Sequence, residues 1–380
     1  MNDKPGFDLA NAVDYHYGNF PPNALDLHAI VEPLTQATAS IARYDQVLAG
    51  MLNSEILLAP LRTRDAVVSS RMEGAISTID EVLQLEADSQ SGDSDAHRVA
   101  RSETIEVALY ARALRQSQQA LSEGRPISEH MLRAAHQTLL AFGRGASKNP
   151  GAYKTEQNYI GDRGTRKVHF IPISPQSLPG GMEALIAFIN SDAQIPLIRT
   201  ALAHVEFEAL HPFEDGNGRV GRMLITLMLW KLGLISQPHF YVSGYFEQNK
   251  DEYVERMRAV SADGEWTGWS VFFLRALNAQ AKENLTTAEE IQSLYEAMRE
   301  RFRERLHSQW ANHALDFVFA NPYFRNNVFT RESGIPAPTA NRFSRSLVEA
   351  GLLRTILPAA GRRPAMYAFE PLLELVRRSV

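Results

Sequence analysis

The chain has 380 residues, a formal net charge of −5 and a hydrophobic content of 44%. This length exceeds what one ordinary domain needs and the composition is that of a soluble globular protein, so we expect two or three domains. The absence of cysteine excludes disulfides and thiolate chemistry, and it fits a reducing cytoplasm. Residues 1–20 lack the apolar stretch of a signal peptide, and the longest apolar run, residues 223–235, is shorter than the roughly 20 residues of a membrane span. We therefore expect no membrane partner.

The first two segments of the chain are predicted to be mainly helical. Residues 1–95 form an N-terminal helical region, which ends at a loop signal around Ser91-Gly92. Helical periodicity then resumes in a core predicted over residues 96–285. Within this core, residues 143–179 are punctuated by Gly, Pro and Asn and contain a short extended run. This change of pattern is typical of a β-hairpin, or flap, on an otherwise helical body.

The last two segments are a charged linker helix, predicted over residues 286–312, and a winged-helix domain over residues 313–380. The domain prediction rests on a helix, a turn, a second helix and two short strands around a basic loop. Residues 321–380 hold nine arginines and four acidic residues, a net charge of +5, so the rest of the chain carries −10. Two interpretations stay open, because such a module binds either DNA or another protein. The arginines that would contact DNA are Arg342, Arg345, Arg362 and Arg363.

The most informative stretch is residues 211–222, which read His-Pro-Phe-Glu-Asp-Gly-Asn-Gly-Arg-Val-Gly-Arg. Gly216 and Gly218 leave backbone amides unobstructed just before a helix that is predicted to begin near Arg219. A helix N-terminus with free amides is a phosphate-binding site. Arg219 and Arg222 lie three residues apart, so both can face one side of the first turn and bind a polyanion.

Two further side chains in the same stretch supply chemistry. Asp215 can hold a Mg²⁺ ion that bridges phosphates. His211, at the end of the preceding helix, can take a proton near neutral pH. A base, a metal-binding carboxylate, an anion site and two arginines within one short segment indicate phosphoryl or nucleotidyl transfer.

Residues 211–222 match every fixed position of the Fic family motif, His-Pro-Phe-x-Asp/Glu-Gly-Asn-Gly-Arg-x-x-Arg, so the chain resembles a Fic protein. The resemblance implies a mainly α-helical core over about residues 100–280. It implies a protein adenylyltransferase that moves AMP from ATP, with Mg²⁺, onto a Tyr, Thr or Ser hydroxyl and releases pyrophosphate. The related Doc kinases carry Lys at the position of Gly218, a difference that favours nucleotidyl transfer. Residues 21–85 resemble the N-terminal domain of many bacterial Fic proteins.

The resemblance also implies a role for each motif residue. His211 is the base that deprotonates the target hydroxyl, and Asp215 is the Mg²⁺ ligand. Arg219 and Arg222 clamp phosphates, and Phe213 anchors the loop in the core. The anion hole consists of Gly216, Asn217 and Gly218. A flap that aligns the target by strand addition is implied at Gln157, Asn158, Tyr159, Ile160 and Gly161.

A second, weaker motif is Ser69-x-x-x-Glu73-Gly74. Ser69 and Glu73 share a helix face, and Gly74 is typical of a helix end. Fic proteins of one class carry Ser/Thr-x-x-x-Glu-Gly/Asn before the core, and the Glu pairs there with the second motif Arg. By resemblance, Glu73 pairs with Arg222 and inhibits the enzyme, because a carboxylate there repels the γ-phosphate.

Two alternatives to adenylyl transfer from ATP stay open. The chain could be a DNA-binding regulator whose Fic body senses nucleotide without turnover, or a Fic transferase that uses another nucleotide donor. The target could be the protein itself, and relatives with this layout often form homodimers.

Overall fold

The computed structural model of the chain describes residues 7–51, 53–92, 100–162 and 164–378. It is mainly helical with two small sheets, which confirms the predicted fold class. The predicted boundary between residues 95 and 96 lies outside the described residues. None of the described helices is both long and apolar enough to span a membrane. The chain divides into a first unit, Met1–Ala42 with Arg112–Ala281, and a second unit, Arg43–Ala111 with Lys282–Val380.

The elements of the fold follow in chain order. The helices are α1 (Leu27–Gly50), α2 (Ser54–Met72), α3 (Ile79–Gln90), α4 (Ser102–Ser122), α5 (Glu129–Leu139), α6 (Leu178–Ile189), α7 (Pro196–Leu210), α8 (Asn217–Lys231), α9 (Ser243–Gln248), α10 (Lys250–Asp263), α11 (Trp266–Leu306), α12 (Ala311–Ala320), α13 (Asn326–Glu332), α14 (Ala337–Glu349) and α15 (Glu370–Arg378). The strands are β1 (Val13–Asp14), β2 (Ile160–Asp162), β3 (Lys167–Ile171), β4 (Tyr323–Arg325), β5 (Arg354–Leu357) and β6 (Met366–Ala368).

The first unit carries a three-stranded sheet in the order β1-β3-β2. Strands β2 and β3 form the antiparallel hairpin that the sequence predicted. Strand β1, which was not predicted from the sequence, pairs in parallel with β3, with Val13 opposite Phe170. Gly161 is required in β2, because a Cβ atom there would lie 2.0 Å from the Lys167 carbonyl oxygen.

Helices α7 and α8 pack against each other in the first unit and are almost entirely buried. This burial explains why both read as apolar in the sequence, since neither has a solvent face. The short connection between them, residues 211–216, is held between two rigid elements. It contains the first half of the predicted motif, and the second half lies in α8.

In the second unit, α2 and α3 pack with the C-terminal elements. Helix α12 packs on α2, and β4 packs on α3. The C-terminal sheet has the order β4-β6-β5; strand β4 precedes α13 and α14, and β5 and β6 follow them. Buried Arg325 on β4 donates to Asp88 on α3 at 2.7 Å.

One long helix replaces part of the predicted linker. Residues 286–306 continue α11 without a break, and the chain turns before α12 begins at Ala311. The reason lies in the sequence, because no Gly or Pro interrupts residues 269–306.

Candidate active site

The loop of residues 211–216 joins the C-terminus of α7 to the N-terminus of α8. His211 ends α7 with φ 45° and ψ 60°, a left-handed backbone. Gly216, with φ 79°, is the N-cap of α8. The helix therefore begins at Asn217, two residues before the predicted start near Arg219. Its first amides face the end of the loop, where a helix N-terminus favours an anion.

Phe213 and Asn217 close this loop on itself. The Phe213 amide donates to Asn217 Oδ1 at 2.8 Å, and Asn217 Nδ2 donates to the Phe213 carbonyl at 2.9 Å. Phe213 is fully buried, which agrees with its implied anchoring role. The Asn217 side chain is engaged in the loop, so the group it can offer to the implied anion hole is its backbone N–H.

Positive charge is concentrated at the start of α8. Arg219 and Arg222 are 4% and 3% exposed, and the Arg219 guanidinium lies 3.5 Å from Asp215 Oδ1. Two buried guanidinium groups next to the positive end of a helix dipole suit a polyphosphate. Gly218, between the loop and Arg219, is half-buried.

Among the fixed positions of the motif, only Asp215 carries a carboxylate that could bind a metal. Its side chain is 39% exposed, and both of its described contacts, from the Gly216 amide at 2.6 Å and from Arg219, use Oδ1. Within the described ranges, no three His, Asp or Glu side chains cluster as a metal site of their own. Mg²⁺ at phosphate-transfer sites is usually held by one or two carboxylates together with substrate phosphates. The donor set therefore fits Mg²⁺ that arrives with a nucleotide.

His136, a buried residue of α5 that supports the loop, was not predicted from the sequence. Its Nδ1 accepts from the Gly151 amide at 2.8 Å, so Nε2 carries the proton and donates to the Asp215 carbonyl at 2.9 Å. The ring stacks on Phe213 with centroids 3.8 Å apart. Burial lowers the pKa of His136 to about 4, which keeps the ring neutral. A histidine on the apolar face of a helix was the only signal in the sequence.

A second missed residue, Lys154, lies beneath the loop and is 3% exposed. Its Nζ donates to the Leu210 carbonyl at 3.0 Å and to Asn158 Oδ1 at 2.9 Å. Asn158 Nδ2 in turn donates to the carbonyls of His211 and Phe213, at 3.3 and 3.1 Å. The Asn158 side chain, implied to dock a target, is thus directed at the loop.

The other implied flap residues lie at the base of the hairpin. Gln157 Nε2 donates to the Pro172 carbonyl at 2.9 Å. The Tyr159 ring stacks on Phe7, with centroids 5.4 Å apart. Ile160 and Gly161 belong to β2 and pair with β3.

The residues of the second motif lie in the second unit. Ser69 is fully buried in α2, while Glu73 is exposed and caps the C-terminus of that helix. Gly74 follows with φ 85°, a conformation that favours glycine, and its amide donates to the Arg71 carbonyl at 2.9 Å. The predicted helix end at Gly74 is confirmed.

The fold and the loop define a Fic-type protein, and comparison with known families agrees. Residues 126–229 match the model of the Fic/DOC family, and residues 31–119 match the Fic/DOC family N-terminal model. The chain belongs to the Fic family.

Several curated relatives are similar over part of the chain. A protein adenylyltransferase Fic of Nematostella vectensis is 33% identical over 95 residues, 24% of this chain and 21% of that protein. The protein adenylyltransferase fic-1 of Caenorhabditis elegans is 31% identical over 95 residues, 24% of this chain and 17% of that one. A probable protein adenylyltransferase of Aquifex aeolicus is 29% identical over 90 residues, 23% of this chain and 26% of that one. The match thus spans about a quarter or less of these relatives.

Two solved structures share the fold. A Fic family protein from Desulfovibrio desulfuricans superposes with a TM-score of 0.56 at 22% identity, over 90% of this chain and 95% of that one. A Fic domain containing signaling protein from Bacteroides thetaiotaomicron superposes with a TM-score of 0.51 at 21% identity, over 67% of this chain and 96% of that one.

Proposed function

We propose that this Fic protein is an adenylyltransferase that moves AMP from ATP onto a Tyr, Thr or Ser hydroxyl of a protein. The observation that carries the proposal is the loop of residues 211–216. It places His211 at one end and, at the other, a helix N-terminus with the two buried guanidinium groups of Arg219 and Arg222. The proposal is also supported by the similar proteins, which are named protein adenylyltransferases or probable protein adenylyltransferases.

In the proposed reaction the target hydroxyl oxygen attacks the α-phosphorus of ATP. His211 takes the hydroxyl proton, the bond from the α-phosphorus to the bridging oxygen breaks, and pyrophosphate leaves. The first amides of α8 and the two arginines hold the phosphates in place, so catalysis rests mainly on positioning and charge neutralisation. Asp215 would hold Mg²⁺, which supplies further neutralisation of phosphate charge.

The hairpin suggests where a target segment would align. Strand β3 is already paired on both sides, with β2 and with β1. A target strand added next to the hairpin therefore pairs with the outer edge of β2, which begins at Ile160.

We also propose that Glu73 restrains the enzyme by pairing with Arg222. The support is the second motif, because in the similar class of Fic proteins the Glu after Ser/Thr-x-x-x has this role. A carboxylate near the phosphate clamp repels the γ-phosphate, so ATP no longer binds productively.

Transfer from ATP labelled at the α-phosphate, with Mg²⁺, tests both proposals. We expect weak labelling of protein by the wild type and strong labelling by Glu73→Gly. The variant Glu73→Gly/His211→Ala should lose at least ~10²-fold, the usual contribution of a general base. Glu73→Gly/His130→Ala, which removes an exposed histidine of α5, is the matched control.

Three outcomes would contradict these proposals. Transfer near the parental rate without His211 would exclude it as the base. Equal rates with and without Glu73 would exclude the restraint. Label from another nucleotide but not from ATP would favour the alternative donor.

A second candidate function, DNA-binding regulation, is favoured by the C-terminal elements. Arg342 and Arg345 on α14 and Arg362 before β6 are exposed, whereas Arg363 lies 3.7 Å from Asp88 and is engaged within the unit. Binding of the full chain to duplex DNA, measured at two salt concentrations, tests this function. We expect Arg342→Ala to weaken binding and to reduce its salt dependence. Salt-independent binding, or none, would favour a protein-docking role.

A further inference from the structure

The backbone of His211 has an unfavourable conformation. Its φ of 45° lies in the left-handed region, where the Cβ atom of an L-residue crowds the following carbonyl oxygen. Such a conformation persists only when its surroundings enforce it, and residues of this kind cluster at functional sites. The neighbouring segments must therefore hold this residue in place.

Two residues, Lys154 and Asn158, supply that hold by donating hydrogen bonds to three successive backbone carbonyls, two of the bonds from their side chains and one from the Lys154 amide. The carbonyl before His211, on Leu210, accepts from Lys154 Nζ at 3.0 Å. The carbonyl of His211 itself accepts from Asn158 Nδ2 at 3.3 Å. The carbonyl after it, on Pro212, accepts from the Lys154 amide at 2.9 Å. A bond from Lys154 Nζ to Asn158 Oδ1 at 2.9 Å joins the two side chains.

Stability alone does not explain a lysine at this position. Lys154 is 3% exposed, and none of the ion pairs among the described residues includes it. A buried ammonium without a carboxylate is costly, and an apolar side chain of the same length would avoid the cost. What the lysine offers is a set of charge-assisted donors aimed at the C-terminal carbonyl of α7 and at Asn158.

We propose that Lys154 and Asn158 are positioning residues for His211. They hold its left-handed backbone, and thereby aim its imidazole at the target hydroxyl, without touching nucleotide or target themselves. We name the pair the His211 clamp. The aiming role rests on the proposed function of His211, whereas the hold on its backbone does not.

Kinetics of variants in the Glu73→Gly background test the aiming role. Lys154→Met and Asn158→Leu remove the donors with little change in shape. We expect kcat to fall roughly 10- to 100-fold, as a small misplacement of a reacting group does, while ATP affinity stays within about twofold. Lys154→Arg keeps a charged donor, so its kcat should be much closer to the parental value than that of Lys154→Met. Lys148→Met, at an exposed lysine, is the matched control.

The ¹³Cα and ¹³Cβ chemical shifts of His211 test the hold on the backbone without any transfer reaction. The histidine signals are assigned by the loss of one set in His211→Ala. In the wild type we expect the His211 shifts to have the values of a left-handed backbone. In Lys154→Met and Asn158→Leu the His211 shifts should move away from those values. In Lys148→Met they should equal the wild-type shifts.

The outcomes separate the clamp from the proposed function. If the His211 shifts are unchanged in both Lys154→Met and Asn158→Leu, the clamp proposal is wrong. It is also wrong if ATP affinity falls as much as kcat in both variants. If the His211 shifts move but neither the wild type nor any variant transfers AMP, the clamp proposal is supported and the adenylyltransferase proposal is wrong.

Discussion

At the scale of single residues, the carboxylate of Asp215 interacts with both a backbone amide and a guanidinium group. Its Oδ1 accepts from the Gly216 amide at 2.6 Å and lies 3.5 Å from Arg219. An amide at this position could still accept from Gly216 and preserve the loop, but it has no charge to offer a cation. Asp215→Asn therefore separates the shape of the loop from the proposed Mg²⁺ binding.

We expect Asp215→Asn, in the Glu73→Gly background, to lower transfer about tenfold or more and to raise the Mg²⁺ concentration that gives half-maximal rate. A Mg²⁺ titration of the transfer rate measures both. Glu214→Gln is the control, because Glu214 is exposed and its carboxylate accepts from Asn149. A larger Mg²⁺ effect for Glu214→Gln would make Glu214 the metal ligand instead.

Lys154 makes the stability of the protein depend on pH. Burial lowers its pKa from 10.5 to about 7. Between these two values the unfolded chain binds more protons than the folded chain, so stability rises with pH and the cost of the buried ammonium is complete below pH 7. Lys154→Met has no such group and should show none of this dependence.

Urea unfolding of both proteins at pH 7 and pH 9 measures the difference. We expect the wild type to gain roughly 2 kcal/mol relative to Lys154→Met over this interval, since a full proton difference is worth about 1.4 kcal/mol per pH unit and Lys154 is half protonated in the folded chain at pH 7. A constant difference between the two proteins would show that Lys154 is not held as a costly buried cation.

The site residues within the motif of residues 211–222 could be predicted from the sequence. Those that act through hydrogen bonds to residues far away in the sequence could not. His211 and Asp215 are visible because the motif fixes them locally. His136 bonds to a carbonyl 79 positions away, and Lys154 to one 56 positions away. Hydrogen bonds between segments so far apart leave no periodic or local trace, and a lone buried His or Lys looks like any other residue of a helix or loop.

At the scale of elements, the hairpin depends on a close approach of its strands. A Cβ atom on residue 161 would lie 2.0 Å from the Lys167 carbonyl oxygen and 2.8 Å from the Val168 Cα. Both atoms are backbone, so the strands must separate to accept a side chain. The hairpin is therefore the element most sensitive to a single methyl group.

We expect Gly161→Ala, in the Glu73→Gly background, to lower transfer to protein at least about tenfold, because it displaces the edge of β2 that we propose aligns the target. ATP affinity should hold within about twofold, since the loop of residues 211–216 is untouched. Gly180→Ala is the control, because a Cβ atom on that residue of α6 has no neighbour within 4 Å. An equal loss of ATP affinity would mean that the hairpin shapes the nucleotide site as well.

Elements marked by turn residues or by a local residue pattern could be predicted. Elements that form only by pairing with another part of the chain could not. The hairpin of β2 and β3 has turn residues and an extended run, so its presence was visible. Strand β1 has two residues and exists only because β3 offers a free edge. The continuity of α11 was hidden by its change from an apolar to a charged composition, although no helix breaker occurs there.

At the scale of the whole molecule, the motif residues belong to the first unit, and Ser69 and Glu73 belong to the second. The second unit ties α3, the helix that follows Glu73, to the C-terminal elements. Asp80 at the start of α3 accepts from Arg377 on α15 and from Tyr323 on β4 at 2.8 Å. Although burial acts to raise the pKa of Asp80, the hydrogen bonds from Arg377 and Tyr323 hold it below its ordinary value. The C-terminal elements thereby stabilise the start of α3 whenever Asp80 is ionised.

If Glu73 restrains the enzyme, loosening α3 should weaken the restraint. We expect Arg377→Met to raise transfer by the protein with its native Glu73 roughly fivefold or more, the effect of a modest coupling free energy. The same substitution in the Glu73→Gly background should leave the rate unchanged, because the restraint is already absent. Transfer from α-labelled ATP by the four proteins of this double-mutant cycle provides the measurement.

Arg378→Met is the matched control for this cycle, because Arg378 is the adjacent arginine of α15 and is exposed. A general loss of stability would lower transfer in both backgrounds, whereas release of the restraint raises it only where Glu73 is present. A rate that rises equally with and without Glu73 would place the effect of Arg377 outside the restraint. A rise that depends on Glu73 would make the C-terminal elements, and any ligand that binds them, a route by which the activity of this Fic protein is controlled.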